Sequence, residues 1–302
     1  MSHFSDKQKF FIVEEPENHL FPLLQKSYLN VISRFNADQL IFTTHSPFII
    51  DFKKIHQLIK LHVSYDGDKR ITGSKSINIE EDDYGKYGYL LSSELAEMFF
   101  YDKVLLVEGY SEKYFYNLLY IKDSGFRKYA NDNKLGVFAV NGVAFANTKS
   151  LLRKLGIKVF IKTDNDVYSK KGYYAGLSRC FDCLDEKGQK DVLKLINQTG
   201  NPKAEISSLL KTENRDAIES NMEKIVEIYY KNGVFLSLHH EGFERDFLDF
   251  VGSTSCDDFD ELKEAKLKNL HRYIHEHNIE LLINDDNKNN ILVRFLNDES
   301  IG

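Results

Sequence analysis

The sequence is poor in cysteine, with only Cys180, Cys183 and Cys256 among its 302 residues. So few thiols favour a reducing compartment over a disulfide framework. Cys180 and Cys183 have the spacing of a redox or zinc motif, but a structural zinc site needs about four ligands. No second CxxC or paired Cys/His cluster accompanies them. We therefore interpret these two cysteines as semi-buried thiols on a helix.

Long hydrophobic runs are also lacking. No apolar run approaches the ~18 residues that a membrane span needs, and the start lacks the basic and apolar regions of a signal peptide. The net charge of −6 does not indicate a nucleic-acid-binding protein, although local basic patches are compatible with DNA binding. With 42% hydrophobic residues, we expect a cytoplasmic protein of about two globular domains that contacts no membrane.

A buried-strand pattern, Val104–Val107, is followed by two glutamates. The run has the composition of a strand buried on both faces, and Gly109 lets the backbone turn where the strand stops. Glu108 is therefore predicted at the carboxyl end of a sheet strand, where open α/β sheets bind ligands. Glu112 faces the same space from the first turn of the next helix, for which Ser111 is the predicted cap.

A second apolar run, Ile157–Ile161, leads to Asp164 and Asp166. These two carboxylates point the same way if the backbone is extended. If the two strands are parallel neighbours, four carboxylates converge at one sheet edge, and a divalent cation is the usual partner of such a cluster. The alternative is that these acids are only loop, helix-cap and helix-start residues. Four carboxylates at two strand ends favour metal-dependent chemistry.

The N-terminal part has the same organisation of strand, helix and strand. Phe10–Val13 and Leu40–Phe42 are predicted to be buried parallel strands. The first ends in Glu14 and Glu15, and the second is followed by His45. An acidic pair can supply one carboxylate to Mg²⁺ and another to an attacking water, while a histidine at the next strand end can reach a terminal phosphate.

Four motifs resemble those of a known family. Phe11–Glu17 resembles the Walker B segment of ABC-type ATPases, and Thr43–Pro47 resembles their switch histidine in the form found in overcoming-lysogenisation-defect (OLD) nucleases. Lys103–Glu112 and Lys162–Asp166 resemble the two acidic motifs of a Toprim domain, the fold shared by topoisomerases, primases and OLD nucleases. An ATPase end followed by Toprim is the OLD order.

The resemblance implies an α/β protein with two parts. Residues 1–100 would be the C-terminal portion of an ABC/OLD-type ATPase domain, and residues 101–302 a Toprim parallel-sheet domain with a helical insertion at about 172–231. A complete ATPase needs a phosphate loop, GxxxxGK[ST], before Walker B. Gly73–Ser76 lacks that order and its surroundings favour a polar hairpin. We therefore expect the C-terminal part of a longer protein, or a partner of a separate N-terminal chain.

The resemblance also implies an activity, a Mg²⁺- or Mn²⁺-dependent DNA endonuclease with a two-metal site. The implied metal ligands are Glu108, Glu112, Asp164, Asp166 and Glu244. Glu241 is the alternative to Glu244, and Lys266 would neutralise charge on the phosphorane, although a solvated basic helix face is the competing interpretation. Glu14, Glu15 and His45 would act on ATP only if a Walker A-bearing portion is supplied.

Two other functions use the same residues. One is a primase-like nucleotidyl transferase, and the other is a non-catalytic DNA-binding or assembly subunit. DNA is the expected partner in each case. The resemblance further implies a homo-oligomer, a dimer or higher, because the ATPase portion of OLD-like proteins is the dimerising platform. A helicase gene beside this one would indicate a Gabija-type antiphage defence system with a UvrD-like helicase subunit.

Overall fold

The computed structural model describes residues 9–32, 34, 37–50, 52–66, 69–77, 93–140, 144–165, 174–196, 215–237, 242–264 and 266–297. The chain divides into two compact units, residues 1–100 and residues 101–302. None of the helices in these ranges is long and apolar enough to cross a membrane.

The first unit contains two small sheets. Strands β1 (Phe10–Glu14) and β2 (Gln39–Thr43) pair in parallel and are joined through helix α1 (Pro22–Ile32). Strands β3 (Ile59–Asp66) and β4 (Lys69–Ser76) form an antiparallel hairpin, as the sequence around Gly73 predicts. Helix α2 spans Ser93–Glu97, and short 3-10 turns lie at Pro47–Ile49, Phe52–Gln57 and Met98–Phe100, the last of which ends the unit.

The prediction that β1 and β2 are buried is wrong for this chain. The side chains of Phe10, Ile12 and Ile41 are 60%, 78% and 49% exposed. Within the described residues, β1 and β2 form a sheet of two strands only, so each has a single strand neighbour. Apolar composition therefore predicted the parallel pairing correctly but not the burial, which depends on what else packs on the sheet.

The second unit is a parallel α/β sheet in the order β6-β5-β7-β8. Its strands are β5 (Lys103–Val107), β6 (Leu135–Ala139), β7 (Lys158–Thr163) and β8 (Val234–Leu236). Its helices are α3 (Tyr110–Lys122), α4 (Ser124–Asp132), α5 (Phe145–Lys154), α6 (Ala175–Cys180), α7 (Glu186–Ile196), α8 (Arg215–Ser220), α9 (Met222–Lys231), α10 (Phe243–Val251), α11 (Cys256–Glu264) and α12 (Lys266–Glu276). Cys180 and Cys183 are buried, Cys183 in a 3-10 turn after α6.

Strands β5 and β7 are parallel neighbours, which is the condition for the predicted convergence of their acidic residues. Their register pairs Val107 with Lys162. The residues that follow the two strands therefore lie side by side at the carboxyl edge of the sheet, with Glu108 next to Thr163 and Asp164. Register thus brings together carboxylates that lie far apart along the chain.

One aromatic cluster connects α3, which follows β5, with α10, which follows β8. The ring of Phe115 on α3 meets the rings of Phe243, Phe247 and Phe250 edge-on, with centroids 5.4 to 6.0 Å apart. Phe115 and Phe247 are fully buried. Because each such ring pair contributes about 0.5–1.5 kcal/mol beyond its burial, α10 is held firmly against α3. The starts of both helices lie at the carboxyl edge of the sheet, since Glu112 of α3 lies near Asp164 and so does Gly242, the N-cap of α10.

Candidate metal centre

Three carboxylates converge at this edge. Glu108 follows β5, Glu112 lies in the first turn of α3, and Asp164 follows β7. One oxygen of each lies within 4.8 Å of the corresponding oxygens of the other two. An all-oxygen donor set of this size suits a hard divalent cation such as Mg²⁺ or Mn²⁺. These are three of the four carboxylates whose convergence the strand pattern predicts.

Glu108 is fixed by two neighbours. The hydroxyl of Thr163, the last residue of β7, donates to Glu108 Oε2 at 3.0 Å. Arg179 on α6 donates from Nη1 to Glu108 Oε1 at 2.6 Å and to Thr163 Oγ1 at 2.9 Å. Both carboxylate oxygens thus have a partner, and the side chain is held in one orientation. Nothing in the sequence marked Arg179, because it reaches the site from a helix far along the chain.

Glu112 is the most deeply buried of the three carboxylates, with 5% exposure. Burial raises its pKa to about 7, and the negative charges of Asp164 and Glu108 add to the rise, against backbone hydrogen bonding and the charge of Lys162. Ser111 does not cap this helix as predicted. The helix begins at Tyr110, so Gly109 is the N-cap and no side chain bonds there. A cation beside Glu112 would therefore favour its ionised form.

A buried ammonium group lies behind Asp164. Lys162 Nζ is 3.3 Å from Asp164 Oδ1 and 2.9 Å from Asp246 Oδ2. Ser237 Oγ, just after β8, donates to Asp246 Oδ1 at 2.8 Å. Burial lowers the pKa of Lys162, but the charges of Asp246 and Asp164 outweigh it and keep the pKa above its ordinary value. Lys162 is therefore a permanent positive charge in the floor of the site.

Lys162 and Asp246 were not among the predicted site residues. Side chains alternate along strand β7, so Lys162 lies on the same side of the strand as Phe160, in the core. A lysine is almost never fully buried unless it is paired. The signal was present as a charged residue at a core position of an apolar strand, but its partner on α10 could not be read from the sequence.

Two glycines allow the backbone to approach Asp164 closely. A Cβ atom on Gly242 would lie 2.4 Å from Asp164 Oδ2, and one on Gly176 would lie 2.0 Å from the Asp164 carbonyl oxygen. Gly242 also has a φ of +74°, which L side chains rarely adopt, and it is the N-cap of α10. A glycine is therefore required at Gly242 by backbone conformation and by the position of the carboxylate.

Replacement of Gly242 by alanine is expected to displace the Asp164 carboxylate and to weaken Mn²⁺ binding by about 10-fold or more. Gly252→Ala is the matched control, because Gly252 has a φ of +76° at the other end of α10 but nothing within 4 Å of its Cβ position. Gly252 has a ψ of 18° and lies in the left-handed helical region, whereas the ψ of −146° at Gly242 is adopted almost only by glycine, so both variants are titrated below their melting temperatures. Isothermal titration with Mn²⁺ distinguishes them, and equal affinities in the two variants would contradict this account.

For the other predicted site residues of the second unit, a role in metal binding or catalysis stays a prediction. Asp166 and Glu241 lie outside the described residues. Glu244 is half-buried in the first turn of α10 and is not one of the three convergent carboxylates. Lys266 begins α12, and its side chain lies outside the described part of the structure.

The acidic pair and the histidine of the first unit also lie close together. Glu14 ends β1, and Glu15 follows it with a φ of +43°. His45 Nε2 is 3.4 Å from Glu15 Oε1, and the His45 backbone N–H donates to Glu17 Oε1 at 2.6 Å. The parallel pairing of β1 and β2 explains this placement, since both segments leave the same edge of the small sheet.

Two family models match parts of the chain. Residues 99–166 match the overcoming lysogenization defect protein-like TOPRIM domain. Residues 2–51 match the AAA domain described as putative AbiEii toxin, Type IV TA system. The first match spans β5, β7 and all three convergent carboxylates, and the second spans β1, β2, Glu14, Glu15 and His45.

Similar proteins include two curated relatives that are both named Endonuclease GajA. The one from Bacillus cereus (strain VD045) is 30% identical over 195 residues, which cover 63% of this chain and 32% of the relative. The one from Bacillus cereus (strain HuB5-5) is 23% identical over 305 residues, covering 88% and 43%. The chain therefore spans less than half the length of either relative. The solved C-terminal region of the Burkholderia pseudomallei OLD protein is 16% identical, with a TM-score of 0.30, and the match covers 66% of this chain and 88% of that structure.

Proposed function

We propose that this chain, whose residues 99–166 match the OLD-like TOPRIM family, hydrolyses DNA phosphodiester bonds as a metal-dependent endonuclease. The observation that carries the proposal is the convergence of Glu108, Glu112 and Asp164 at the carboxyl edge of a parallel sheet. Two relatives named as endonucleases support a nucleic-acid substrate.

The protein residues have separate roles in this proposal. Glu108, Glu112 and Asp164 would hold Mg²⁺ or Mn²⁺ by their oxygens, and the donor set fits such ions. The bound cation would lower the pKa of a water and stabilise charge on the leaving oxygen. Thr163 and Arg179 hold Glu108 in its orientation. Hydrolysis needs no protein nucleophile, so water is the attacking group.

Other assignments rest on the resemblance and are part of the same proposal. Asp166 and Glu244 would complete a second metal site, and Lys266 would neutralise charge that develops on the phosphate. Residues 1–100 would be the C-terminal portion of an ABC/OLD-type ATPase, a role supported by the AAA match and by the approach of Glu15 to His45. The chain would also assemble into a homo-oligomer and bind a UvrD-like helicase subunit.

A plasmid assay tests the proposed activity. Purified protein is incubated with supercoiled plasmid in Mg²⁺, in Mn²⁺ and in EDTA, and the nicked and linear products are measured on gels. We expect cleavage with at least one of the two metals and none in EDTA. Cleavage that persists in EDTA, or no cleavage with either metal, would count against a metal-dependent nuclease. Pyrophosphate release from nucleoside triphosphates on a template would instead favour the primase-like activity.

A further inference from the structure

Lys162 is a buried lysine with two carboxylate partners. It is 1% exposed, and its ammonium lies between Asp246 Oδ2 at 2.9 Å and Asp164 Oδ1 at 3.3 Å. Asp246 is 2% exposed and receives a hydrogen bond from Ser237. A charge buried this deeply is stable only when it is paired. Three side chains from β7, the end of β8 and α10 therefore form one buried polar chain that ends at Asp164.

The burial of Lys162 decides what it can do. A lysine that acts on the substrate must reach the phosphate, and a side chain with 1% exposure cannot do so without unpacking the core. Its contact with Asp164 is direct, however, and Asp164 is one of the three convergent carboxylates. Lys162 must therefore act through Asp164.

Helix α10 restrains Asp164 from two sides. The Gly242 backbone at the start of the helix lies close to Asp164 Oδ2. One turn later, Asp246 binds the ammonium of Lys162, which contacts Asp164 Oδ1. The carboxylate thus has little freedom to rotate. Partners beyond the ligands that orient them commonly change metal affinity or activity by about 10- to 100-fold when they are removed.

We propose that Lys162, held by Asp246, is a positioning residue that fixes the Asp164 carboxylate for metal binding. The inference rests on the proposed metal site. The pair carries no net charge, since the ammonium and the Asp246 carboxylate cancel at short range. Removal of both groups together therefore removes the contact with Asp164 and leaves the net charge of the site unchanged.

The test is the double variant Lys162→Met/Asp246→Leu, which replaces the buried pair by apolar side chains of similar size. Such replacements often preserve or improve stability, whereas removing one partner leaves a buried charge unpaired. We expect the melting temperature to stay within about 5 °C of wild type and the Mn²⁺ affinity to fall about 10- to 100-fold. A purely structural pair would leave the Mn²⁺ affinity within about threefold of wild type, and that result would overturn the inference.

Two further variants complete the experiment. If that double variant does not fold, Lys162→Met/Asp246→Asn replaces it. This variant keeps the volume at position 246 and the net charge of the site, and its Mn²⁺ affinity, measured below its melting temperature, decides by the same criterion. Lys149→Met is the matched control, because Lys149 is also buried but donates to the main-chain carbonyls of Cys183 and Asn232. A Mn²⁺ affinity that falls as far in Lys149→Met as in the double variant would also overturn the inference.

Plasmid cleavage is measured on the same preparations, so that the two proposals can fail separately. If the wild-type protein binds Mn²⁺ but does not cleave DNA, the proposed nuclease activity is wrong. The Mn²⁺ affinities of the variants still decide the role of Lys162 in that case. Wild-type protein that binds no Mn²⁺ would overturn both proposals.

Discussion

Replacement of Asp164 by asparagine is expected to lower metal-dependent DNA cleavage by about 100-fold or more. Asparagine keeps the size of the side chain and an oxygen for Lys162, so the fold should survive. It removes one negative charge from the three that would face the cation, and a metal-assisted reaction depends on that charge. Initial rates of plasmid nicking at saturating Mg²⁺ or Mn²⁺ measure the effect.

The matched control is Asp191→Asn on helix α7. Asp191 is a partly exposed aspartate on the surface, and its ion pair with the exposed Lys194 has a distance of 3.5 Å. Exposed pairs of this kind contribute little to stability, so the control should cleave at the wild-type rate. Equal cleavage rates for Asp164→Asn and wild type would show that Asp164 takes no part in the reaction.

The metal-free protein is expected to lose stability as the pH rises, because Glu112 is buried. Glu112 has an ordinary pKa of 4.5, which rises to about 7 in the fold. The folded state therefore binds this proton more tightly than the unfolded chain. The stability that this provides is fully present below about pH 4.5 and is lost as the pH rises through about 7. Above pH 7, the ionised and buried carboxylate costs about 3 kcal/mol of unfolding free energy.

Glu112→Gln should therefore stabilise the protein in EDTA at about pH 8 by about 2–3 kcal/mol and change little at about pH 4.5. Urea unfolding at both pH values measures the difference. The same variant should lose most of the stabilisation that Mg²⁺ gives the wild type, because one ligand is gone. Glu186→Gln, a 94% exposed glutamate at the start of α7, is the control. A Glu112→Gln variant that is less stable than wild type at both pH values would contradict the origin given for the pKa shift.

Strand-end chemistry was predictable from the sequence because it depends on local pattern. Val104–Val107 and Ile157–Ile161 are apolar runs followed by acids, and parallel pairing then determines where Glu108 and Asp164 meet. The sequence also predicted the parallel pairing of β1 and β2. Each of these predictions needs only strand periodicity and the rule that ligands bind at the carboxyl ends of strands.

Interactions across the fold were not predictable in the same way. Arg179 reaches Glu108 from α6, and Asp246 reaches Lys162 from α10, so both pairs depend on how helices pack on the sheet. The requirement for glycine at position 242 likewise comes from its closeness to Asp164 in space. Ser111 is not the cap because the helix begins at Tyr110 with Gly109 as its N-cap, a shift of two residues that propensity does not resolve.

We propose that the carboxylates at the ends of β5 and β7 hold one divalent cation together. Isothermal titration of the metal-free protein with Mn²⁺ tests it most directly, with wild type and the double variant Glu108→Gln/Asp164→Asn in parallel. The account predicts saturable binding to the wild type and no measurable binding to the double variant at the same sites. Undiminished Mn²⁺ binding by a double variant that remains folded would contradict it.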